Sequence, residues 1–256
     1  SVNVNPLGMP NFVWEAAQRS IAFCTGYPDS SCENLRGRLS EVTGVPEDQM
    51  IFGNGAAELI FRLVQEVRPK KAVIPAPSFA EYETALRSCG TEIAFFYLKE
   101  AESFFLNISE FLDFLRTEQP EIIFLCTPAN PTGAMIRQAD LSKILDYCRK
   151  HGILLVLDEC FVEFLDEERS CGCIREFLDW ETRRPEHGGS LFLLRAFTKT
   201  YAMAGLRLGY GFCTSRELLE RMEENWQPWS VSIPAQEAGY AALSEERIPF
   251  LKKMRE

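Results

Sequence analysis

The sequence predicts an α/β protein built on a mostly parallel central sheet, and three observations carry that prediction. Short runs, Ala72–Pro75, Ile122–Cys126, Ile153–Leu157 and Leu191–Leu194, are apolar without alternation, as expected of strands covered on both faces. Segments with helical spacing of apolar residues lie between them, so strands and helices alternate along the chain. The run Ile153–Leu157 ends in Asp158-Glu159, which puts acid at the carboxyl edge of the sheet, where open α/β sheets bind ligands.

Residues 2–10 hold two prolines, two asparagines and a glycine and read as an extended arm with a turn. A helix is expected from about Asn11, ending before Gly26, then a turn at Tyr27-Pro28-Asp29. Asn34–Val42 is a second helix, with Leu35, Leu39 and Val42 on one side and Gly44 just past its end. After Met50-Ile51-Phe52 the chain turns through Gly53-Asn54-Gly55 into a helix over 56–67, whose face is Ile60, Leu63, Val64 and Val67. Further helices are expected over 80–89, 109–117, 138–151, 216–226 and 234–243, and further strands over 91–97 and 210–213. The stretch Glu163–Glu168 reads as a short helix and 175–189 as a charged, exposed connection. Arg247–Glu256 is a charged helical run, and the chain reads as a piece of something longer.

Composition narrows the function. A net charge of -10 and a pI near 5.0 argue against a nucleic-acid surface and leave a small molecule as the expected ligand. Nine cysteines without regular spacing read as reduced thiols of a cytoplasmic protein. Cys171 and Cys173 are the closest pair, but no second pair or nearby histidine completes a zinc set, so no metal is expected. With only His151 and His187, both in polar surroundings, histidine-based catalysis is disfavoured. No apolar run approaches the roughly 20 residues of a membrane span.

The segment Ala196–Tyr210 carries Lys199 and Arg207 between apolar flanks, so both cations are expected in mostly buried surroundings. Two readings follow from the residues alone. A desolvated lysine can attack a carbonyl as the neutral amine, or Lys199 is a surface residue and Arg207 partners a structural carboxylate. Other loops after expected strands add further groups. Gly53–Ala57 offers a helix N-terminus for phosphate, Phe79 a ring, Asn130 a neutral donor and Asp158 a carboxylate. A Gly-x-Gly start also suits a dinucleotide, but Glu58 stands where that fingerprint wants a small residue. Pyridoxal phosphate would use every group at once: an aldehyde for lysine, a ring nitrogen for carboxylate, a phosphate for backbone N–H groups and arginine.

Taken together, Tyr27-Pro-Asp, Gly53-Asn-Gly-Ala-Ala-Glu58, Pro77-Ser-Phe79, Asn130-Pro-Thr-Gly133, Asp158-Glu159 and Thr198-Lys199 with Arg207 resemble the fold-type I, class I/II aminotransferases. The resemblance implies a three-layer α/β/α large domain and pyridoxal 5'-phosphate as cofactor. It implies Lys199 as the Schiff-base lysine that also moves protons at the substrate Cα, and Asp158 on the ring nitrogen. Asn130 would bond the ring hydroxyl and Phe79 would stack on the ring. Gly55, Ala56, Ala57, Thr198 and Arg207 would hold the phosphate. Tyr27 would reach the cofactor of the other subunit of a homodimer with shared sites. Asn5 and Gly8, with Asn130, would meet the amino acid substrate. The domains implied are an arm and dimer-contact segment over 1–33, the cofactor domain over 34–245, and over 246–256 the start of a small C-terminal domain that is otherwise missing.

Within that family the chain is most similar to the histidinol-phosphate aminotransferases and to the threonine-phosphate decarboxylases of cobalamin synthesis. Phe161, three residues after Asp158 and by the same resemblance at the cofactor, stands where the former usually carry tyrosine, and Phe197-Thr-Lys199, Tyr201–Gly205 and Pro228–Val231 also resemble the decarboxylases. The expected activity is therefore decarboxylation of L-threonine O-3-phosphate. Transamination of the histidinol-phosphate type is the alternative, and a catalytically silent cofactor-binding or dimerisation module is the alternative of another class.

Overall fold

Alternation along each strand decides how the layers assemble, because successive side chains face opposite sides of a sheet. Ile123 and Leu125 join one apolar cluster while Ile122 and Phe124 join the other, and Leu155 and Leu157 divide from Leu154 and Val156 in the same way. Both faces of these strands are therefore buried, and a helical layer must cover each. Every Leu, Ile or Phe fully withdrawn from water here contributes roughly 1.5–3 kcal/mol.

The computed structural model describes residues 3–166, 172–182 and 190–256. In chain order, α1 (Asn11–Ser20) and α2 (Glu33–Thr43) precede β1 (Met50–Gly53), α3 (Ala56–Val67), β2 (Lys71–Ala76), α4 (Ala80–Ser88) and β3 (Glu92–Tyr97). Then follow α5 (Ile108–Glu118), β4 (Ile122–Cys126), α6 (Gln138–His151), β5 (Leu154–Asp158), α7 (Ile174–Thr182), β6 (Ser190–Ala196) and the single turn α8 (Phe197–Thr200). The last elements are β7 (Gly209–Cys213), α9 (Arg216–Glu224), α10 (Ile233–Ala242) and α11 (Arg247–Arg255).

The seven strands form one sheet in the order β1-β7-β6-β5-β4-β2-β3. Strands β6, β5, β4, β2 and β3 are parallel neighbours, whereas β7 runs antiparallel to both β6 and β1. Helices α3, α4 and α9 cover one face and α2, α5, α6, α7 and α10 the other, giving the three-layer α/β/α class expected. From β3 the chain returns past β2 to form β4, so the order reverses between β2 and β4 and opens a crevice at their carboxyl ends.

One stretch departs from expectation. Residues 162–164 form only a short 3-10 turn, while the expected charged connection contains helix α7. Its charges mask an apolar stripe: Phe177 and Trp180 are fully buried, and Arg149 lies 4.4 Å above the Trp180 ring. Cys171, His187 and the end of the expected 163–168 helix lie outside the described residues. Among the described residues no helix is long and apolar enough to cross a membrane, and no group of three or more His, Cys, Asp or Glu could hold a metal ion.

Candidate active site

Because β1, β2, β4, β5 and β6 point the same way, their carboxyl ends deliver five loops to one edge of the sheet. At its centre is Asp158, the last residue of β5, 5% exposed and level with Cys126 on β4 and Leu194 on β6. A buried carboxylate needs donors. The Cys160 backbone N–H donates to Oδ1 at 2.9 Å and the Tyr82 hydroxyl to Oδ2 at 2.5 Å. Burial, and next the negative charge of Asp158, push the Tyr82 phenol well above its ordinary pKa, so the hydroxyl stays a donor.

Tyr82 was not singled out from the sequence. It lies one helical turn beyond Phe79, meets that ring edge-on at 5.6 Å and stacks on Phe124 at 4.9 Å. The signal available was the i, i+3 spacing of two aromatic residues opening α4, which puts both on the face turned to the site. Phe79 itself is half-buried at the start of α4. Asn130 is half-buried in the loop after β4, a turn closed by Gly133 N–H to Ala129 O at 2.7 Å, and it lines one cavity with Tyr82, Ser78 and Cys126. Replacing Tyr82 by phenylalanine keeps the ring packing and removes one bond to a charged group. The expected loss is about 1.5–3 kcal/mol of stability, read by urea denaturation; an unchanged midpoint would show that the bond contributes nothing.

A second cluster sits where α3 begins. Gly55 takes φ 82 and caps α3 with no side chain, so the N–H groups of Ala56 and Ala57 belong to a first turn without intrahelical acceptors. A Cβ on Gly55 would overlap the Arg207 guanidinium, which places that cation directly over the helix N-terminus. Gly209, opening β7, is equally constrained: its Cβ would collide with the Ala56 nitrogen. Glu58 has its own task here, accepting from Asn54 N–H at 2.7 Å and from the Trp226 indole at 3.1 Å.

Lys199 ends the approach from β6. It stands in α8, half-buried, with Nζ 5.7 Å from the Phe161 ring centroid, within reach of a cation–π contact. Thr198 beside it is 5% exposed. The expectation that Lys199 and Arg207 are mostly buried is corrected: Arg207 is exposed, donating Nη1–H to Ala204 O at 3.1 Å. The buried cation lies just before this segment, on β6: Arg195 is 5% exposed and held by Glu159 through Nε at 3.0 Å and Nη2 at 2.7 Å. Asn5 is buried against α8, and Gly8 donates its N–H to Asn5 O at 3.2 Å. Tyr27 stands apart from these groups, 79% exposed and stacked on Trp229 at 4.5 Å.

A model of the family described as aminotransferase class I and II matches residues 1–256. The chain belongs to that family. It is 37% identical over 245 residues to threonine-phosphate decarboxylase of Salmonella typhimurium, covering 96% of this chain and 64% of that protein. It is 33% identical over 247 residues to histidinol-phosphate aminotransferase of Methanosarcina barkeri, covering 95% of this chain and 62% of that one. Among solved structures, histidinol-phosphate aminotransferase from Clostridium acetobutylicum superposes with a TM-score of 0.84 at 25% identity, over 99% of this chain and 71% of its own. The chain thus spans less than two thirds of the length of these two curated relatives. Aminotransferases of this family use pyridoxal phosphate, and the site has groups that fit that cofactor: an amine at Lys199, a buried carboxylate at Asp158, and a guanidinium over a free helix N-terminus at Arg207 and Gly55.

Proposed function

We propose that this chain carries the cofactor site of a lyase that removes the carboxylate of a phosphorylated amino acid, O-phosphothreonine. The observation that carries this reading is the 37% identity with a threonine-phosphate decarboxylase over nearly the whole chain. The ring of Phe161 beside Lys199, where a tyrosine would offer a hydroxyl, supports the same branch. In the reaction the bond from Cα to the carboxylate breaks, CO2 leaves, and one proton is added at Cα. Pyridoxal phosphate, when bound, supplies a protonated ring that accepts electron density from Cα.

The residues of this chain do the rest. Asp158, oriented by Tyr82 and by the turn to Cys160, would hold the ring nitrogen and its proton. Ala56 and Ala57 N–H groups, Arg207 and the Thr198 hydroxyl would anchor the phosphate. Asn130 would donate to the ring hydroxyl and Phe79 would cover the ring. Lys199 would attach the cofactor and return the proton to Cα.

Transamination is the second reading, supported by the similarity to histidinol-phosphate aminotransferases. Incubating the full-length protein and cofactor with threonine phosphate and, separately, with histidinol phosphate distinguishes the two. Release of CO2 without amino transfer to 2-oxoglutarate is expected; amino transfer without CO2 overturns the lyase reading.

The same proposal makes the molecule a homodimer. Trp14, Ile21, Phe23, Tyr27 and Tyr240 are each at least 48% exposed on α1, the segment after it and α10, elements packed on one another. A second copy would cover this apolar surface and bring Tyr27 towards the partner's cofactor. Sedimentation velocity of the full-length protein showing a monomer would exclude shared sites. The eight described cysteines are all free thiols, which supports a reducing, cytoplasmic setting.

A further inference from the structure

The lysine turn is too short to hold itself. Helix α8 is one turn, Phe197–Thr200, closed by Tyr201 N–H to Phe197 O at 3.1 Å. The carbonyls of Lys199 and Thr200 fall in its last turn, where a helix has no further N–H groups of its own to satisfy them. Ala202 gives Lys199 O a long bond, 3.3 Å, from a left-handed φ of 50. The rest comes from the opposite end of the chain. The backbone N–H of Asn5 donates to Lys199 O at 3.0 Å, and its side-chain Nδ2 donates to Thr200 O at 2.8 Å. The amide oxygen is occupied too, accepting Leu7 N–H at 3.0 Å, and Asn5 is 2% exposed. Both ends of its side chain are spent inside the protein.

We infer that Asn5 is a positioning residue for Lys199: it caps the turn that carries the reactive amine and makes the seating of the N-terminal arm and the orientation of that amine one event. This rests on the reading of Lys199 as the cofactor lysine. It gives Asn5 a task different from contacting substrate. Asparagine is required because the site needs a donor towards Thr200 O and an acceptor for Leu7 N–H on one short side chain. Aspartate keeps the acceptor and sets a carboxylate oxygen against the Thr200 carbonyl; alanine loses both bonds.

The test uses the full-length protein. Cofactor is added to wild type, Asn5→Ala and Asn5→Asp, and the rate of borohydride-stable attachment to Lys199 and the pH midpoint of the visible absorbance are measured, with circular dichroism as the check on folding. Asn5→Ala is expected to slow attachment about tenfold, the effect of losing one or two hydrogen bonds, and to move the pH midpoint; Asn5→Asp is expected to do more. A folded Asn5→Ala protein with wild-type attachment and midpoint overturns the inference while leaving the site reading intact. Failure of wild type itself to attach cofactor overturns the site reading instead. Hydrogen exchange on wild type removes dependence on the variants folding: cofactor binding is expected to slow exchange of the Asn5 and Leu7 amides, by the reciprocity of coupled sites. Unchanged exchange there also overturns the inference.

Discussion

Replacing Lys199 by alanine is expected to abolish borohydride-stable attachment of pyridoxal phosphate and to lower turnover of the full-length protein by about 10⁴-fold, the upper range for a positioned acid–base group. The remaining groups proposed to hold it, Asp158, Asn130 and Arg207, lie on other strands and loops, so the cofactor should still bind, more weakly and without a covalent link. Lys199→Arg separates charge from chemistry: it keeps a cation near the Phe161 ring but cannot form the imine, and is expected to match alanine. The measurement is intact mass after borohydride reduction, with turnover assayed alongside. If Lys199→Ala carried the same reduced adduct as wild type, the assignment of Lys199 and every role built around it would be wrong.

The fold was legible because buried parallel strands are written as uninterrupted apolar runs. The apolar run Ile122–Cys126 coincides with β4, and the run Ile153–Leu157 with β5 to within one residue at each end. Strand direction leaves no such trace: the antiparallel β7 has the same apolar character as its neighbours, and its reversal comes from the path through Arg207 and Gly209. At the site, candidate groups set by short motifs are visible in the sequence, whereas contacts set by distant partners are not. Lys199, Asp158 and Gly55 stand in short local motifs that make them candidates. Tyr82 becomes meaningful only through Asp158, 76 residues on, and the clamp of Asn5 spans 195 residues. Nothing local marks Arg195 as the buried cation, since burial of a cation depends on where its counter-charge lies, and Glu159 is 36 residues earlier.

That pair sets the second large effect, on stability. Glu159→Ala is expected to destabilise the protein by about 3–5 kcal/mol, because removing one partner of a buried ion pair strands the other charge. Glu159 and Arg195 are 2% and 5% exposed, and their contact is bidentate on the guanidinium side. Burial alone would lower the Arg195 pKa, but the Glu159 carboxylate, with Tyr210 behind it, more than reverses this; without Glu159 that support is lost, yet a guanidinium does not give up its proton in a protein, so a buried charge is left unpaired. The cost should not stop at stability. Glu159 also accepts Cys173 N–H at 2.7 Å and donates its own N–H to Leu194 O at 2.8 Å, tying the turn after β5 to β6 and fixing Asp158, the residue before it. Urea denaturation measures the loss, and Glu159→Leu with Arg195→Met provides the control: two apolar groups of similar volume should recover most of the stability lost by the single variant. A single-variant loss under about 1 kcal/mol would place this pair with surface ion pairs and remove its claim to hold the Asp158 turn.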